Sequence, residues 1–312
     1  MLNYVGKRLI LAIPLLLGLS MLVFFMLSWI PGGAPEIMAM LGGQSVSADQ
    51  LAQLRHQLGL DDPLPVQYVR FLTHGLQGDL GRSFRTNRPV VEMILENLPA
   101  TLELALAGLL LAIILGLGLG LVAGLRQGSW LDVSSMVVAL LGWSMPQFWL
   151  GIVLILVFSV KLGWLPITNG SELKRLILPS MALALGSAGV IARLVRTEIL
   201  EELRKNYVVA ARAKGLSEFG VILKHVLRNS LVSVVTVAGL QFGQLLGGAV
   251  IIETVFARQG VGRLAVDALL ARDMPVVQGA VLFLGSIFII TNLAVDVLYG
   301  YLDPRLRIGT LA

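Results

Sequence analysis

Residues Pro99–Leu125 read PATLELALAGLLLAIILGLGLGLVAGL and contain a single charged residue, Glu103. An apolar stretch of this length is sufficient to cross the hydrocarbon core of a bilayer, which is about 30 Å thick. Four glycines crowd its second half: Gly116, Gly118, Gly120 and Gly124. Because small residues let membrane helices approach closely, this stretch predicts a transmembrane helix with a tightly packed neighbour.

Other apolar stretches of similar character flank this one. They are Leu9–Ile30, Val133–Val160, Leu176–Ala192, Ser230–Ile252 and Val276–Tyr299. Pro146 predicts a kink in the middle of the second of these, because proline removes a backbone hydrogen bond. The stretch after Lys7-Arg8 could be a cleaved signal peptide, but the apolar core of such peptides has only about 7–15 residues. We therefore interpret it as a retained helix and predict an all-α integral membrane protein with six transmembrane helices.

The overall composition supports a membrane protein. Of the 312 residues, 56% are hydrophobic and 14% are charged, with a mean hydropathy of +0.83. Soluble domains are closer to half apolar and a quarter charged, which disfavours an unusually apolar soluble enzyme. The chain has no cysteine, which excludes disulfides, zinc–thiolate sites and cysteine nucleophiles.

The span pattern divides the chain into an N-terminal helix (1–30), an extramembrane segment (31–98), a core (99–300) and a tail (301–312). The segment 31–98 contains a turn signal, Asp61-Asp62-Pro63, and an amphipathic stretch, Ala48–Leu60. Its apolar residues are too frequent for a disordered loop. We expect two or three short helices near the membrane surface.

The basic residues indicate the orientation of the chain. With the N-terminus in the cytoplasm, the inside segments hold 13 of the 24 Lys and Arg residues in the smaller share of the loop length. Because positive charge in short loops favours the cytoplasmic side, both termini are predicted to be cytoplasmic and 31–98 periplasmic. The net charge of +5 is then a property of cytoplasmic loops and does not indicate nucleic-acid binding.

No catalytic machinery is evident in the sequence. There is no Gly-x-x-x-x-Gly-Lys-Ser/Thr loop for ATP, and the three histidines, His56, His74 and His225, are far apart in predicted loops. A membrane-embedded enzyme would need an assembled acid, base, metal or nucleophile. Proton-coupled pumps and metal channels usually carry ionisable groups inside the bilayer, and the predicted spans lack them away from their ends.

Residues 193–229 form the most informative polar segment. A helical pattern over Leu194–Arg204, with Glu198, Glu201 and Glu202 on its polar side, precedes two alanines and Gly215. The glycine can end a helix in a left-handed conformation, and Ser217 can cap a second amphipathic helix extending to Leu227. Helix–Gly–helix with small residues predicts a compact knob that fits a groove on a partner. An amphipathic linker lying on the membrane surface is the alternative.

The residues of this segment resemble a known family. Ala210-Ala211-x3-Gly215 is similar to the coupling motif of ABC importer permeases, Glu-Ala-Ala-x3-Gly, with Val209 in place of Glu. Tyr207-x5-Ala213-Lys214-Gly215-Leu216 and His225-x-Leu227-Arg228-Asn229 resemble the first permease of the dipeptide/oligopeptide/nickel/glutathione branch. Further matching pieces follow in order along about 300 residues: Leu58–Pro63, Gly78–Ser83, Arg88–Val90, Leu98–Glu103, Ser144–Trp149, Ile177–Pro179, Gly260–Arg263, Arg272–Gln278 and Asp303–Arg305. Gln259 stands where a proline is usual.

This resemblance implies the type I ABC importer permease fold, with a helical periplasmic insertion after the first helix, in a bacterial inner membrane. It implies lipid and protein partners: a homologous second permease, two cytoplasmic ATPase subunits that bind ATP and magnesium, and a periplasmic solute-binding protein. No cofactor is expected in this chain. Residues carried over to the coupling surface are Tyr207, Ala210, Ala211, Arg212, Ala213, Lys214, Gly215, Leu216, Arg228 and Asn229.

The translocation pathway is less specified by the sequence. Polar residues at or within the predicted spans are candidates for it, since such groups usually face the bundle interior; helix–helix hydrogen bonding is the alternative. With Pro146, the candidates are Glu103, Ser144, Gln147, Gln241 and Gln244. Short peptides are the leading solute, with nickel, a metal chelate or glutathione as alternatives for the same machinery. A passive channel is disfavoured, because it would not need the knob.

Overall fold

The computed structural model describes residues 2–28, 56 and 61–302. Apart from residue 56, the predicted amphipathic stretch 48–60 lies outside them, as does the tail after Leu302. The helices in this part of the chain are α1 (Leu2–Ser28), α2 (Leu64–Leu76), α3 (Val90–Leu125), α4 (Trp130–Ser144), α5 (Gln147–Leu154), α6 (Glu172–Leu203), α7 (Asn206–Ala213), α8 (Glu218–Val221), α9 (Leu227–Val255), α10 (Val261–Leu270) and α11 (Met274–Leu302). Two π-helical stretches extend α5 (Ile155–Lys161) and join α8 to α9 (Ile222–Val226).

Within the described residues, five helices are long and apolar enough to cross a membrane. They are Arg8–Met26, Val90–Leu125, Glu172–Leu203, Ser233–Val255 and Met274–Val295. The pair formed by α4 and the extended α5 makes a sixth if it is counted as one span, which agrees with the predicted number.

The span containing Pro146 is broken rather than kinked. Helices α4 and the extended α5 meet at an angle of 108°. Met145 and Pro146 are both extended, with ψ of 134° and 131°. A residue that precedes proline is forced out of the helical region, so α4 ends at Ser144 and a new helix begins at Gln147.

Three helices extend beyond their predicted limits. Helix α3 begins at Val90, so that Pro99 lies inside it. Helix α6 continues through the segment predicted as a separate helix and ends at Leu203. The helix capped by Ser217 continues through its π-helical turn directly into α9. The predicted knob is therefore a short connection between two long helices.

The chain divides into two compact units, the first of which contains Met1–Val5, Leu102–Arg258 and Thr291–Ala312. In this unit, the glycines of α3 lie against α6. A Cβ atom built on Gly116, Gly120 or Gly124 would lie 2.7, 2.6 or 2.9 Å from an atom of Ile191, Val195 or Ile199, whereas nothing lies within 4 Å of one built on Gly118. The predicted close packing is confirmed for three of the four glycines.

Helix α4 also packs closely on α6, in the antiparallel direction. A Cβ on Gly189 would lie 2.3 Å from the carbonyl oxygen of Ala139, and one on Gly142 would lie 2.8 Å from that of Leu185. Buried Asp132 accepts two hydrogen bonds from Arg196, of 2.6 and 2.8 Å. From Asp132 to Gly142 the residue numbers increase along α4, whereas those of the contacted residues decrease from Arg196 to Leu185 along α6. The two helices therefore run in opposite directions.

The second unit contains Gly6–Thr101 and Gln259–Ile290. Buried Asp273 accepts hydrogen bonds from the Ser83 hydroxyl and, at 2.9 Å, from the backbone N–H of Phe84. The Thr101 hydroxyl accepts from the N–H of Val261 at 2.9 Å. These bonds join motifs separated by up to 190 residues. Helix α2, which also lies in this unit, is one of the short helices expected in 31–98.

Candidate coupling surface

Helix α7 carries half of the residues predicted to couple the chain to a partner. It follows the end of α6 after a turn at Arg204 and Lys205, and it ends just before Gly215, whose φ is 79°. A positive φ is accessible to glycine without steric cost, so the predicted left-handed helix end is confirmed. The Ser217 hydroxyl accepts from the N–H of Gly220 at 3.3 Å, which confirms the predicted cap of the next helix.

One face of α7 is anchored in the apolar core of its own unit. Val208 and Ala211 are buried in a cluster that includes Ile199 and Val226. Tyr207 packs against the edge of this cluster. The side chain of Ala211 is thus occupied inside the chain, whereas Ala210 and Ala213 are exposed.

A buried carboxylate fixes the other side of the turn. Glu202, near the end of α6, is only 5% exposed and accepts hydrogen bonds from the Tyr207 hydroxyl and the Lys205 ammonium. Asn229 at the start of α9 donates to the same Tyr207 oxygen at 3.0 Å. Tyr207 of α7 is thus hydrogen-bonded both to Glu202 of α6 and to Asn229 of α9. These two bonds hold α7 between α6 and α9.

This network changes the titration of its members outside the long helices. Burial raises the pKa of the Tyr207 phenol above its usual 10.0, and the hydrogen bond to Glu202 acts in the same direction. The hydrogen bond to Glu202 also raises the pKa of Lys205. At neutral pH the cluster therefore contains a protonated phenol, an ammonium and a carboxylate that hold each other in place.

Glu202 itself was predicted on the polar face of its helix, and that placement is wrong. Of the three glutamates, Glu201 is exposed and Glu198 is half-buried, but Glu202 faces the core. A carboxylate is buried only where donors compensate its desolvation. The sequence signals for it are its two donors, Lys205 and Tyr207, three and five residues further along the chain.

The segment from α7 to the π-helical stretch after α8 presents exposed apolar side chains. Its large side chains are Val209, Leu216, Phe219 and Leu223, with Phe219 73% exposed. The small residues Ala210, Ala213 and Gly215 lie between them in the sequence. We call these seven residues the knob surface. Phe219 was not among the predicted coupling residues, although an aromatic residue in a polar, basic segment is a signal for an interface.

Charged residues accompany the knob surface. Arg212 donates to the carboxylate of Glu218, with its Nε 3.0 Å from Oε2. This contact lowers the pKa of Glu218 and raises that of Arg212. Of the three basic residues predicted at the coupling surface, only Arg212 belongs to this ion pair. The other two, Lys214 and Arg228, are exposed.

The pathway candidates separate into several environments. Glu103 forms a salt bridge with Arg258, so its negative charge is compensated by a residue of the same chain. Gln241 is buried, whereas Ser144 and Gln244 are exposed. At the break between α4 and α5, Pro146 precedes α5 and the amide of Gln147 lies against Gly186 and Gly248.

Comparison with protein families identifies the class of the chain. The family described as "Binding-protein-dependent transport system inner membrane component" matches residues 116–308. A companion family, "Binding-prot-dependent transport system membrane comp, N-term", matches residues 1–105. Together these matches include both units of the structure.

Curated relatives match almost the whole chain. A Brucella abortus (strain 2308) protein, provisionally named a peptide transport system permease protein, is 44% identical over 309 residues, with 96% of this chain and 98% of that protein covered. The glutathione transport system permease protein GsiC of Salmonella typhimurium (strain LT2) is 44% identical over 307 residues, covering 98% of this chain and 99% of that protein.

Solved structures support the same fold. The structure titled "Inward facing conformations of the MetNI methionine ABC transporter" has a TM-score of 0.57 at 19% identity, and covers 68% of this chain and 96% of that chain. A crystal structure of an amino acid ABC transporter with histidines has a TM-score of 0.52 at 16% identity, with 69% and 94% covered. The chain therefore belongs to the binding-protein-dependent transport system inner membrane components, the multi-pass permease subunits of ABC importers.

Proposed function

We propose that this permease forms half of a pathway for short peptides and that its knob surface docks an ATPase subunit. The observation that carries the docking proposal is the exposed apolar patch around Phe219, held on a connection whose inner side is locked by buried Glu202. Exposed apolar surface beside charged residues is typical of a protein interface. In this arrangement the small residues permit close approach while the large ones supply the area that is buried.

The connection is suited to transmitting force because both of its ends continue into long helices. Helix α6 leads into α7 after two residues, and α8 continues into α9 without a break. Nucleotide-driven movement of a docked ATPase would therefore tilt or shift both helices together. Such a coupling biases a bundle between two packings.

In the proposed orientation, the knob surface, both termini and the loop 126–132 lie in the cytoplasm. The charge distribution supports this orientation, because exposed arginines and lysines accumulate at the α7 end of the first unit. A second, homologous permease would complete the pathway, and an external binding protein would deliver the solute from the other side. ATP and magnesium would be bound by the two ATPase subunits.

The names of the relatives support a peptide as the solute. One relative is named for peptides and another for glutathione, itself a tripeptide, at the same 44% identity. Both names share a solute with amide bonds and free carboxylates. We therefore propose short peptides, with glutathione as a member of the same chemical class.

Substitutions at Gly215 test the docking proposal. The positive φ of Gly215 tolerates asparagine better than other side chains, and a Cβ there meets nothing within 4 Å. Gly215→Asn should keep coupling, whereas Gly215→Trp should place a bulky ring in the contact and separate ATP hydrolysis from uptake. The measurement is peptide uptake per ATP hydrolysed in proteoliposomes containing the complete importer. Unchanged coupling in Gly215→Trp would refute docking at this surface.

A further inference from the structure

The guanidinium of Arg193 lies over the ring of Trp143, with its central carbon 4.6 Å from the ring centroid. Both side chains are exposed in this chain. The charge pattern of the sequence predicts that Arg193 begins a polar segment, but α6 continues as far as Leu203. Arg193 is therefore a residue of the long helix rather than of a loop.

The arginine points away from the nearer end of its helix. A Cβ built on Gly189 would lie 3.2 Å from the Cβ of Trp143, so Trp143 lies near the level of Gly189 on α6. Gly189 and Arg193 are separated by about 6 Å along the axis, at ~1.5 Å per residue. Side chains lean toward the N-terminus of their own helix, so the two residues of opposed helices lean toward each other and meet between these levels.

This direction is opposite to that of an arginine facing lipid. Near a helix end, arginine normally extends its charge outward to the water interface. Among the described residues, no carboxylate forms a salt bridge with Arg193. A guanidinium that points toward the middle of its membrane helix and has no anionic neighbour requires water or an anionic ligand.

A predicted pathway residue, Gln147 of α5, lies against the same face of α6. Gly186 is two helical turns before Arg193, which places both on one side of the helix. The amide nitrogen of Gln147 lies 4.0 Å from a Cβ built on Gly186, and its oxygen lies 2.6 Å from one built on Gly248 of α9. The Gln147 amide and the Arg193 guanidinium thus belong to the same side of α6, at positions two helical turns apart.

We propose that Arg193, seated on Trp143, binds the carboxylate of the transported solute within the pathway. The aromatic ring contacts the flat face of the guanidinium, which leaves its in-plane N–H groups available for a bidentate carboxylate. This inference rests on the proposed peptide function, since it names the group by which a peptide would be recognised.

Because this chain contains no cysteine, labelling measured on this subunit reports only on a cysteine introduced into it. Leu140 lies one helical turn before Trp143 and is exposed, so Leu140→Cys reports on the surroundings of the guanidinium. The complete importer in nanodiscs is treated with anionic sulfonatoethyl or cationic trimethylammonioethyl methanethiosulfonate. A positive charge about 8 Å away in water should favour the anionic reagent by about fivefold.

Two substitutions separate charge from structure. Arg193→Lys should retain the preference for the anionic reagent, and Arg193→Gln should abolish it, while the remote Arg126→Gln should leave it unchanged. If neither soluble reagent reacts with Leu140→Cys, this face lies against lipid and the proposal is overturned. A preference that survives Arg193→Gln would overturn it as well.

Protection of the cysteine identifies the ligand group. A dipeptide with a free C-terminal carboxylate should slow labelling more than its C-terminal amide, and Arg193→Gln should remove that difference. Protection by S-methylglutathione, whose blocked sulfur cannot consume the reagent, but by neither dipeptide form would reject unmodified dipeptides as cargo and retain the carboxylate site. Equal protection by acid and amide, or protection by none of the three ligands, would overturn the proposed role of Arg193.

Discussion

Phe219→Ser should weaken docking of the ATPase subunit without unfolding the permease. A phenylalanine buries about 200 Å², and 73% of Phe219 is exposed, so roughly 150 Å² is available to a partner. At ~25 cal/mol per Å² this area corresponds to an upper limit of about 4 kcal/mol. Incomplete burial and ordering costs reduce the expected loss to about 2 kcal/mol, or roughly 30-fold in affinity.

The assay is binding of the purified ATPase subunit to the permease pair in nanodiscs, followed over a range of ATPase concentrations. The matched control is Leu173→Ser, because Leu173 is 75% exposed but lies at the far end of α6 from α7. Thermal unfolding of each variant checks that the permease remains folded. Unchanged affinity in Phe219→Ser, or an equal loss in Leu173→Ser, would refute the assignment of the knob surface.

Three further predictions concern the supports of this surface. A double-mutant cycle of Glu202→Ala and Tyr207→Phe should give a coupling energy of about 1.5–3 kcal/mol in unfolding experiments, because each substitution removes the same hydrogen bond to a buried carboxylate. If the two losses of stability are simply additive, the proposed network is contradicted. Gly120→Ala should destabilise the permease by about 1–3 kcal/mol through overpacking against Val195, whereas the matched Gly118→Ala should be neutral or stabilising by up to ~1 kcal/mol; equal melting temperatures of the two variants would contradict the packing. Ultraviolet titration should show that Tyr207 ionises above the usual 10.0, so that its contribution to stability is complete below pH 10 and is lost as the pH rises toward the higher folded-state pKa; a Tyr207→Phe variant that removes a component at or below pH 10 would contradict this.

The features that the sequence predicted depend on local chemistry. Gly215 ends its helix and Ser217 caps the next one because each role requires only a particular residue and its immediate neighbours. The number of spans follows from long apolar stretches, and the packing of Gly116, Gly120 and Gly124 follows from their four-residue spacing on one helix face.

The features that the sequence did not predict depend on contacts between distant segments. Glu202 is buried because Tyr207 and Lys205 fold back onto it, and Asp273 is bonded by a loop that lies 190 residues earlier. The Arg258 salt bridge of Glu103 likewise joins residues 155 positions apart. Periodicity places such residues on a polar face, but only the packed structure shows which partners compensate their burial.

Another limit of the sequence concerns the extent of the helices. The sequence predicts a helix that begins at Pro99, yet α3 begins at Val90 and continues through Pro99, whereas Pro146 separates α4 from α5. Buried Ile94 and Leu104 hold the turns on both sides of Pro99, while extended Met145 adjoins an exposed Ser144. Tertiary packing therefore decides whether a proline is absorbed within a helix or ends it.

The length of α6 gives the molecule a lever. Beyond Pro179 the helix continues without another proline from Ser180 to Leu203, a rod of about 36 Å at ~1.5 Å per residue. A tilt of about 10° imposed at the α7 end would displace the other end of such a rod by roughly 6 Å, which is more than the one-turn rise of a helix. A small rotation of a docked subunit would thus be enlarged, by leverage alone, into a movement comparable to the width of an amino-acid side chain.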